Sequence, residues 1–560
     1  MQKPSDLNEK QWQAVKSQAR HLLIIAGPGT GKTHTLTRRI ARIAHEQKGT
    51  AYVLAITFTN KAAQEMRERL TKYISESVED VEVATFHKFC LGILRRYSSL
   101  KDYRIATSVQ VKEVSKSLWP HLPERERKQK LEDIGRTKSC ALKETHSEVT
   151  SYNEELRKQK LIDFDDILLE TVFLLEADKT LLEKMQETYS DIFVDEYQDI
   201  NEAQHKLLLL LAAKQTGVTA IGDPQQSIYG FRGSNVKFFE GFAADFPGSE
   251  KIELSENYRS ASHLLKASGQ ISKKGRILGV PALEAKFSGH GDLIVHCVPS
   301  EKAESEYVVH QIEKLVGGTS MFSQDSKRVA VDDHGDFTFG DIAVLYRTNA
   351  QQKVLQEAFE RSGIPHQASG DKLFYEEKEV ADFLEDIRKD TRKPVTLIVS
   401  DLKARHQETG RDCFLKMVEL VQKAKSRQEF FDNLFLEREN DTLDQNVEKV
   451  SLMTLHCAKG LEFPVVFIIG CEEGLIPFKG KGDCIDVEEE RRLFYVGMTR
   501  AKQRLYLLNT QKRMAFGRVY VPKPSRFLSD IEETLKRYEE GADLPRKKKE
   551  DTQLNLFGKI

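Results

Sequence analysis

The sequence predicts an α/β protein of several domains, with a P-loop architecture interrupted by an insertion. Three observations predict it. An apolar run enters a glycine-rich turn and then a helical pattern at residues 22–33, LLIIAGPGTGKT. A second apolar run at 190–201, SDIFVDEYQDIN, ends in two adjacent carboxylates. About 160 residues separate the two, more than an uninterrupted domain of this kind needs, so the 560-residue chain carries an insertion there.

In the loop of Ala26, Gly27, Pro28, Gly29, Thr30 and Gly31, the glycines let backbone N–H groups curl around phosphates without Cβ clashes. The strict pattern opens with glycine, where this chain has Ala26. Lys32 is placed to reach the β- and γ-phosphates and the Thr33 hydroxyl to bind Mg²⁺. Leu36, Ile40 and Ile43 then recur at helical spacing. Of the paired carboxylates, Asp195 is placed to hold Mg²⁺ through water and Glu196 to polarise the water that attacks the γ-phosphate. Alone, an Asp-Glu pair is more often a solvated turn; beside a phosphate loop it points to ATP hydrolysis. ATP and Mg²⁺ are therefore the expected cofactors.

Composition bounds the rest. No stretch approaches the ~18 apolar residues of a membrane span, and the N-terminal MQKPSDLNEK has no apolar signal segment. A cytoplasmic, nucleoid-associated location is expected. The seven cysteines never fall at CxxC spacing, which argues against a zinc site, an iron–sulfur cluster or a disulfide framework. With 85 basic against 86 acidic residues, bulk charge gives no sign of nucleic acid, so any grip on it must be local.

Further motifs follow in order: AITFTNKAAQEMRERL (55–70), VATFHKFC (83–90), IGDPQQSIYGFRGS (221–234), LSENYRS (254–260), YRTNAQ (346–351), VSLMTLHCAKGLEFPVVFIIG (450–470) and EEERRLFYVGMTRAK (488–502). The set resembles that of the UvrD/Rep/PcrA group of superfamily-one ATP-dependent DNA helicases. It covers nearly the whole chain to about residue 536, with one gap near 390–447. The resemblance implies two RecA-like P-loop lobes with ATP between them. Lobe 1A would span 1–90 and 183–270, and lobe 2A 271–389 and 448–536. A helical insertion 1B would fill 91–182, including KLIDFDDILL (160–169), and a shortened 2B would fill 390–447.

The resemblance also implies roles residue by residue. Gln11 would read adenine, Tyr258 stack on it, and Glu462 contact the ribose. Gln226 would sense the γ-phosphate, with Arg259 and Arg500 reaching it from across the cleft. Guanidinium groups suit that task because transition-state charge spreads over the phosphoryl oxygens. Outside these motifs, such arginines are more often surface ion pairs. Single-stranded DNA would lie across Phe58, His87, Tyr229 and Phe231, with Thr57, Asn60, Arg232, Arg347, Asn349, Thr454 and His456 also in the DNA site. Aromatic faces stack on any base at ~1–3 kcal/mol each, a sequence-tolerant grip. The competing reading of Phe58 and Phe231 is ordinary core packing.

Three features depart from the group's pattern. His34 stands where close relatives usually carry arginine, and Phe231 where tryptophan is common. The third is larger: only about sixty residues precede Val450 where 2B normally exceeds a hundred. They hold one amphipathic run at 414–437 and the charged link ERENDTLDQN. Strand separation is thereby less well supported than translocation.

Residues 537–560 read as a charged, flexible tail. Within it Gln553, Leu554, Leu556 and Phe557 form a pentapeptide, QLNLF, similar to the bacterial sliding-clamp-binding pattern, in which apolar anchors dock in a groove. The leading expectation is a 3′–5′ single-stranded DNA translocase or helicase in repair or replication, acting on single strands and junctions with duplex. The alternatives are a protein-stripping translocase that unwinds weakly and a non-enzymatic clamp-bound adaptor.

Overall fold

The computed structural model describes residues 3–47, 49, 52–74, 78–140, 147–275, 281–317, 336–369, 375, 378–389, 395–409, 412–424, 426–436, 447–479, 486–515 and 518–539. The pentapeptide at 553–557 and the charged link at 437–446 lie outside the described residues.

A six-stranded sheet forms the first lobe, in the order Val81–Thr85, Tyr52–Thr57, Tyr189–Val194, Gly217–Gly222, His21–Ala26, Glu250–Leu254. Every pairing is parallel. Helices cover both faces, so central strands such as HLLIIA and GVTAIG read as continuous apolar runs rather than alternating ones. The segments that follow the carboxyl ends of these parallel strands carry the phosphate loop, Phe58, His87 at the start of its helix, Asp195–Glu196 and Gln226.

The second sheet follows the order His366–Ala368, Val450–Thr454, Ile342–Tyr346, Phe463–Ile468, Ala501–Ala515, Asp292–Ser300, Arg537–Tyr538 and is parallel along that path. Arg518–Tyr520 folds back antiparallel on the end of the long strand Ala501–Ala515. Glu462 and Arg500 immediately precede the strands Phe463–Ile468 and Ala501–Ala515. The beginnings of two central strands thus carry the side chains that meet the first lobe.

Several expected boundaries shift. The division at residue 90 falls inside the helix Phe86–Tyr97, whose Phe89, Cys90, Ile93 and Leu94 join one core with the first sheet and the insertion. The helix Ser262–Lys273 buries Leu264, Ala267 and Ile271 in the second lobe's core, so allegiance changes near Ala261 rather than at 270. Arg537 and Tyr538 pair with Ile294 and Val295, which places them in the second sheet rather than in a tail.

The largest shift concerns the shortened insertion. The single run expected over 414–437 is two helices, Asp412–Lys423 and Arg427–Phe435, because the Ser426 hydroxyl caps a new helix by accepting from Glu429 N–H. They follow Lys378–Lys389 and Val395–Thr409. All four bury apolar residues, among them Val380, Leu402, Phe414 and Leu434, in the same cluster as Ile56, Ile192, Leu94 and Val172 of the first lobe and its insertion. Arg95 clasps the Asp432 carboxylate with two bonds of 2.9 and 2.8 Å. These helices are therefore packed on the first lobe side although the chain enters and leaves them from the second.

Candidate ATP cleft and nucleic-acid groove

The loop between the strand His21–Ala26 and the helix Lys32–Glu46 depends on two left-handed glycines, Gly29 at φ 68° and Gly31 at φ 79°. Space is as restrictive as conformation. A Cβ on Gly29 would come within 2.6 Å of Asn257 and of Arg259, and one on Gly31 within 2.7 Å of Gln11. Gln11 Nε2 donates to the Thr30 carbonyl at 3.0 Å, and Asn257 Nδ2 to the Pro28 carbonyl at 2.6 Å. Asn8 caps the helix that carries Gln11 and also donates to the Tyr258 hydroxyl at 2.9 Å. Gln11 and Tyr258 thus sit together at one rim of the phosphate loop, Tyr258 with 46% of its surface exposed. His34, one residue beyond Thr33, pairs instead with Asp6 at 3.1 Å.

Lys32 Nζ lies 3.9 Å from Glu196. Glu196 holds a left-handed backbone at φ 50°, rare for a residue with a side chain and costly enough that the surroundings must enforce it. Burial and the adjacent Glu196 charge push Asp195 up to about 7. At Glu196 burial is outweighed by Lys32 and Lys459, which hold its carboxyl well below the ordinary range. The two adjacent carboxyls are thus driven in opposite directions, Asp195 toward its protonated form and Glu196 toward its ionised form. The half-buried Thr33 hydroxyl and the Asp195 carboxylate are hard oxygen donors that fit Mg²⁺, an ion that keeps several waters and takes few protein ligands.

From the second lobe, Arg500 enters with only 2% of its surface exposed. It donates to the carbonyls of Val496 and Leu461 and, across the cleft, to Gln226 Oε1 at 3.1 Å. Burial and the charge of Arg259 lower it to about 9. Arg259 Nε binds Glu462 at 2.6 Å, and Lys502 binds the other Glu462 oxygen at 2.8 Å. In this structure Glu462 is therefore engaged by two cations.

Sequence reasoning missed Lys459. Its side chain, 7% exposed, crosses from the second lobe to bind the buried Asp199 and the Gln226 carbonyl, the latter at 2.6 Å. Burial still pushes Asp199 up to about 6. Lys459 and Asp199 both lie within motifs quoted above. The signal that would have found them is a contact between two motifs 260 residues apart, which spacing cannot show.

The aromatic residues form one groove wall. Phe58 stacks on Tyr229 with centroids 5.2 Å apart, and Phe231 meets His456 edge-on at 5.5 Å. Arg232 lies over both Tyr229 and Phe231. Exposure separates their parts: Phe231 is 49% exposed and Tyr229 only 6%. The face open to a base is thus Phe231, and Tyr229 is the packing behind it. Thr57, expected in the DNA site, is 1% exposed with its hydroxyl donating to the Thr59 carbonyl, so burial keeps it from facing the groove. His87 is buried under Phe164 of the insertion, centroids 3.9 Å apart, and does not line an open groove. Asn60 Nδ2 donates to the Leu436 carbonyl at 3.0 Å. Arg347 makes a two-pronged pair with Glu490 beneath the Phe478 ring. Thr454 accepts from the Cys457 N–H, and Asn349 is exposed at the start of its turn. Burial and the charges of Arg347, Arg232 and Lys459 push His456 down to about 3, so its ring is neutral at physiological pH.

A nucleotide cleft between two parallel-sheet lobes, backed by an aromatic groove spanning both, defines a two-lobed P-loop motor of the helicase class. The model of the UvrD/REP helicase N-terminal domain matches residues 7–150 and 107–247, and that of the UvrD-like helicase C-terminal domain matches 252–407 and 412–512. The chain belongs to the UvrD/Rep helicase family. Similar relatives include the ATP-dependent DNA helicase PcrA of Staphylococcus aureus (strain MRSA252), 31% identical over 651 positions, covering 94% of this chain and 86% of that protein. The PcrA of Staphylococcus epidermidis (strain RP62A) is likewise 31% identical, over 95% and 87%.

Proposed function

We propose that the chain hydrolyses Mg²⁺-ATP to move 3′ to 5′ along single-stranded DNA in repair or replication, engaging junctions with duplex. The observation that carries this reading is the bond from Arg500 of the second lobe to Gln226 of the first, three residues before Tyr229 of the aromatic wall. A γ-phosphate in the cleft would compete for Arg500 and Arg259, so nucleotide state and lobe contact are tied to one another. Lys32, Thr33 and Asp195 would hold the phosphates and Mg²⁺, which supplies charge neutralisation at the γ-phosphoryl group. Glu196 would accept the proton of the attacking water. Gln11, Tyr258 and Glu462 would hold the nucleoside, with Glu462 first released from Arg259. ATPase rates with single-stranded DNA, RNA and duplex in parallel test the reading. Turnover unchanged by single-stranded DNA would remove it and leave the non-enzymatic adaptor.

A second reading is a translocase that strips bound proteins but unwinds weakly. It is favoured by the four short helices packed on the first lobe. It is also favoured by the alignment: 651 positions against about 526 covered residues leave about 125 positions of the relative without a counterpart. Robust displacement of a paired strand from a 3′-tailed substrate, and not from a 5′-tailed one, would remove it. For the tail, the proposed partner is the bacterial sliding clamp, docked through Gln553, Leu554, Leu556 and Phe557. Equal clamp binding by Phe557→Ala would exclude that. The proposed location is cytoplasmic and nucleoid-associated, where the DNA track would be; among the described residues no helix is long and apolar enough to cross a membrane.

A further inference from the structure

The segment from Gln226 to Gly230 joins the cleft to the stacking face, and the second lobe holds it by its backbone. Lys459 Nζ donates to the Gln226 carbonyl at 2.6 Å, and Arg492 Nε to the Ser227 carbonyl at 2.6 Å. Glu489 Oε1 accepts from the Gly230 N–H at 2.9 Å. Glu489 and Arg492 lie one turn apart on the helix Val487–Met498, which ends two residues before Arg500. One rigid helix therefore leads to the cleft arginine at one end and grips the loop of Phe231 at the other. The fit at Gly230 is close: a Cβ there would come within 2.5 Å of Glu489 Oε2. On its other side the loop abuts the 1B insertion, since a Cβ at Gly233 would collide with Ser139.

We propose that Glu489 is a positioning residue that couples the DNA-stacking loop to ATP turnover. Its carboxylate, through a charge-assisted bond to the Gly230 N–H, makes any motion of the second-lobe helix a motion of Phe231. Without that bond the second lobe holds the segment only at the Gln226 and Ser227 carbonyls; the stretch from Gly230 to Phe231 beyond them follows the first lobe, and occupancy of the groove no longer sets the position of Arg500. The competing account is that Glu489 sits in the first turn of its helix only because acidic residues suit a helix N-terminus. The proposal rests on the translocase reading.

The test uses the full chain and oligothymidylate. ATPase is measured with and without DNA, affinity by fluorescence anisotropy, and backbone hydrogen exchange over residues 227–233. In Glu489→Ala, DNA-stimulated turnover is expected to fall about tenfold or more, the loss typical of a bond to a charged acceptor. DNA-free turnover and DNA affinity stay within about twofold, and the Gly230 amide exchanges faster. Glu489→Gln, which keeps an accepting oxygen, restores most of both. Glu489→Asp keeps the charge at the helix start but is too short for Gly230. It should behave as Glu489→Ala does, and it replaces that variant should alanine prevent folding. Wild-type stimulation in the alanine or aspartate variant overturns the proposal, as does an equal loss with and without DNA. Failure of the translocase reading is seen separately, as a wild-type protein that DNA does not stimulate; the exchange measurement then still decides whether Glu489 holds the loop.

Discussion

Replacing Asp195 by asparagine should stabilise the nucleotide-free protein while abolishing its turnover. The carboxyl is buried beside the Glu196 charge and titrates at about 7 in the fold, against an ordinary value of 3.8. A carboxylate whose folded pKa is raised destabilises the fold fully above that pKa and not at all below the unfolded one. Holding the carboxyl near 7 rather than 3.8 corresponds to about 4 kcal/mol at pH 8. We expect a gain of about 2–4 kcal/mol for Asp195→Asn at pH 8, shrinking as pH falls through 7 and gone near pH 4. Thermal or guanidinium unfolding without nucleotide at pH 8 and pH 5 reads this directly. ATPase should fall about a hundredfold or more in the same variant, since the carboxylate proposed to hold Mg²⁺ would be gone. An asparagine variant no more stable than wild type at pH 8, or a gain independent of pH, would refute the electrostatic account of the cleft.

Other consequences are open to similar tests. Phe231→Ala should weaken single-stranded DNA binding about tenfold, by anisotropy, with little change in melting temperature because the ring is half exposed. Tyr229→Ala should instead cost several kcal/mol of stability, as a buried ring does. Lys459→Met should leave Asp199 buried and unpaired, costing about 3 kcal/mol. That loss should deepen as pH rises above 6, where Asp199 must ionise, and a deficit flat between pH 5 and 8 would contradict it. Arg95→Ala should cost about 3 kcal/mol and make residues 378–436 the first site of limited proteolysis, with Asp432→Asn milder.

Much of the cleft was legible because its chemistry is local. A loop that wraps phosphates needs glycines, a lysine and a hydroxyl within a few residues, and an apolar strand must end where its carboxylates begin. Gln11 and Tyr258 were legible only through the family resemblance, as nothing in their own spacing places them at one rim. Of the residues expected to hold DNA, the fold brings Phe58, Tyr229, Phe231 and His456 together, but their separate surroundings were not legible. Thr57, Tyr229 and His87 match the motifs, and only packing shows that Thr57 faces Thr59, Tyr229 lies behind Phe231, and His87 lies under Phe164.

The sequence by itself determined the α/β class, through apolar runs of a dozen residues or fewer, and the turn at 26–31, through its glycines, while the division into two lobes was legible only through the family resemblance. Tertiary structure alone decided which residues meet across the cleft and where the short insertion sits. Lys459 with Asp199, Glu489 with Gly230 and Arg95 with Asp432 are pairs hundreds of residues apart in sequence. A hydrophobic face specifies that it must be covered but not by what. The helices of 378–436 could have closed on either lobe, and the side with Phe89, Leu94 and Val172 to bury received them.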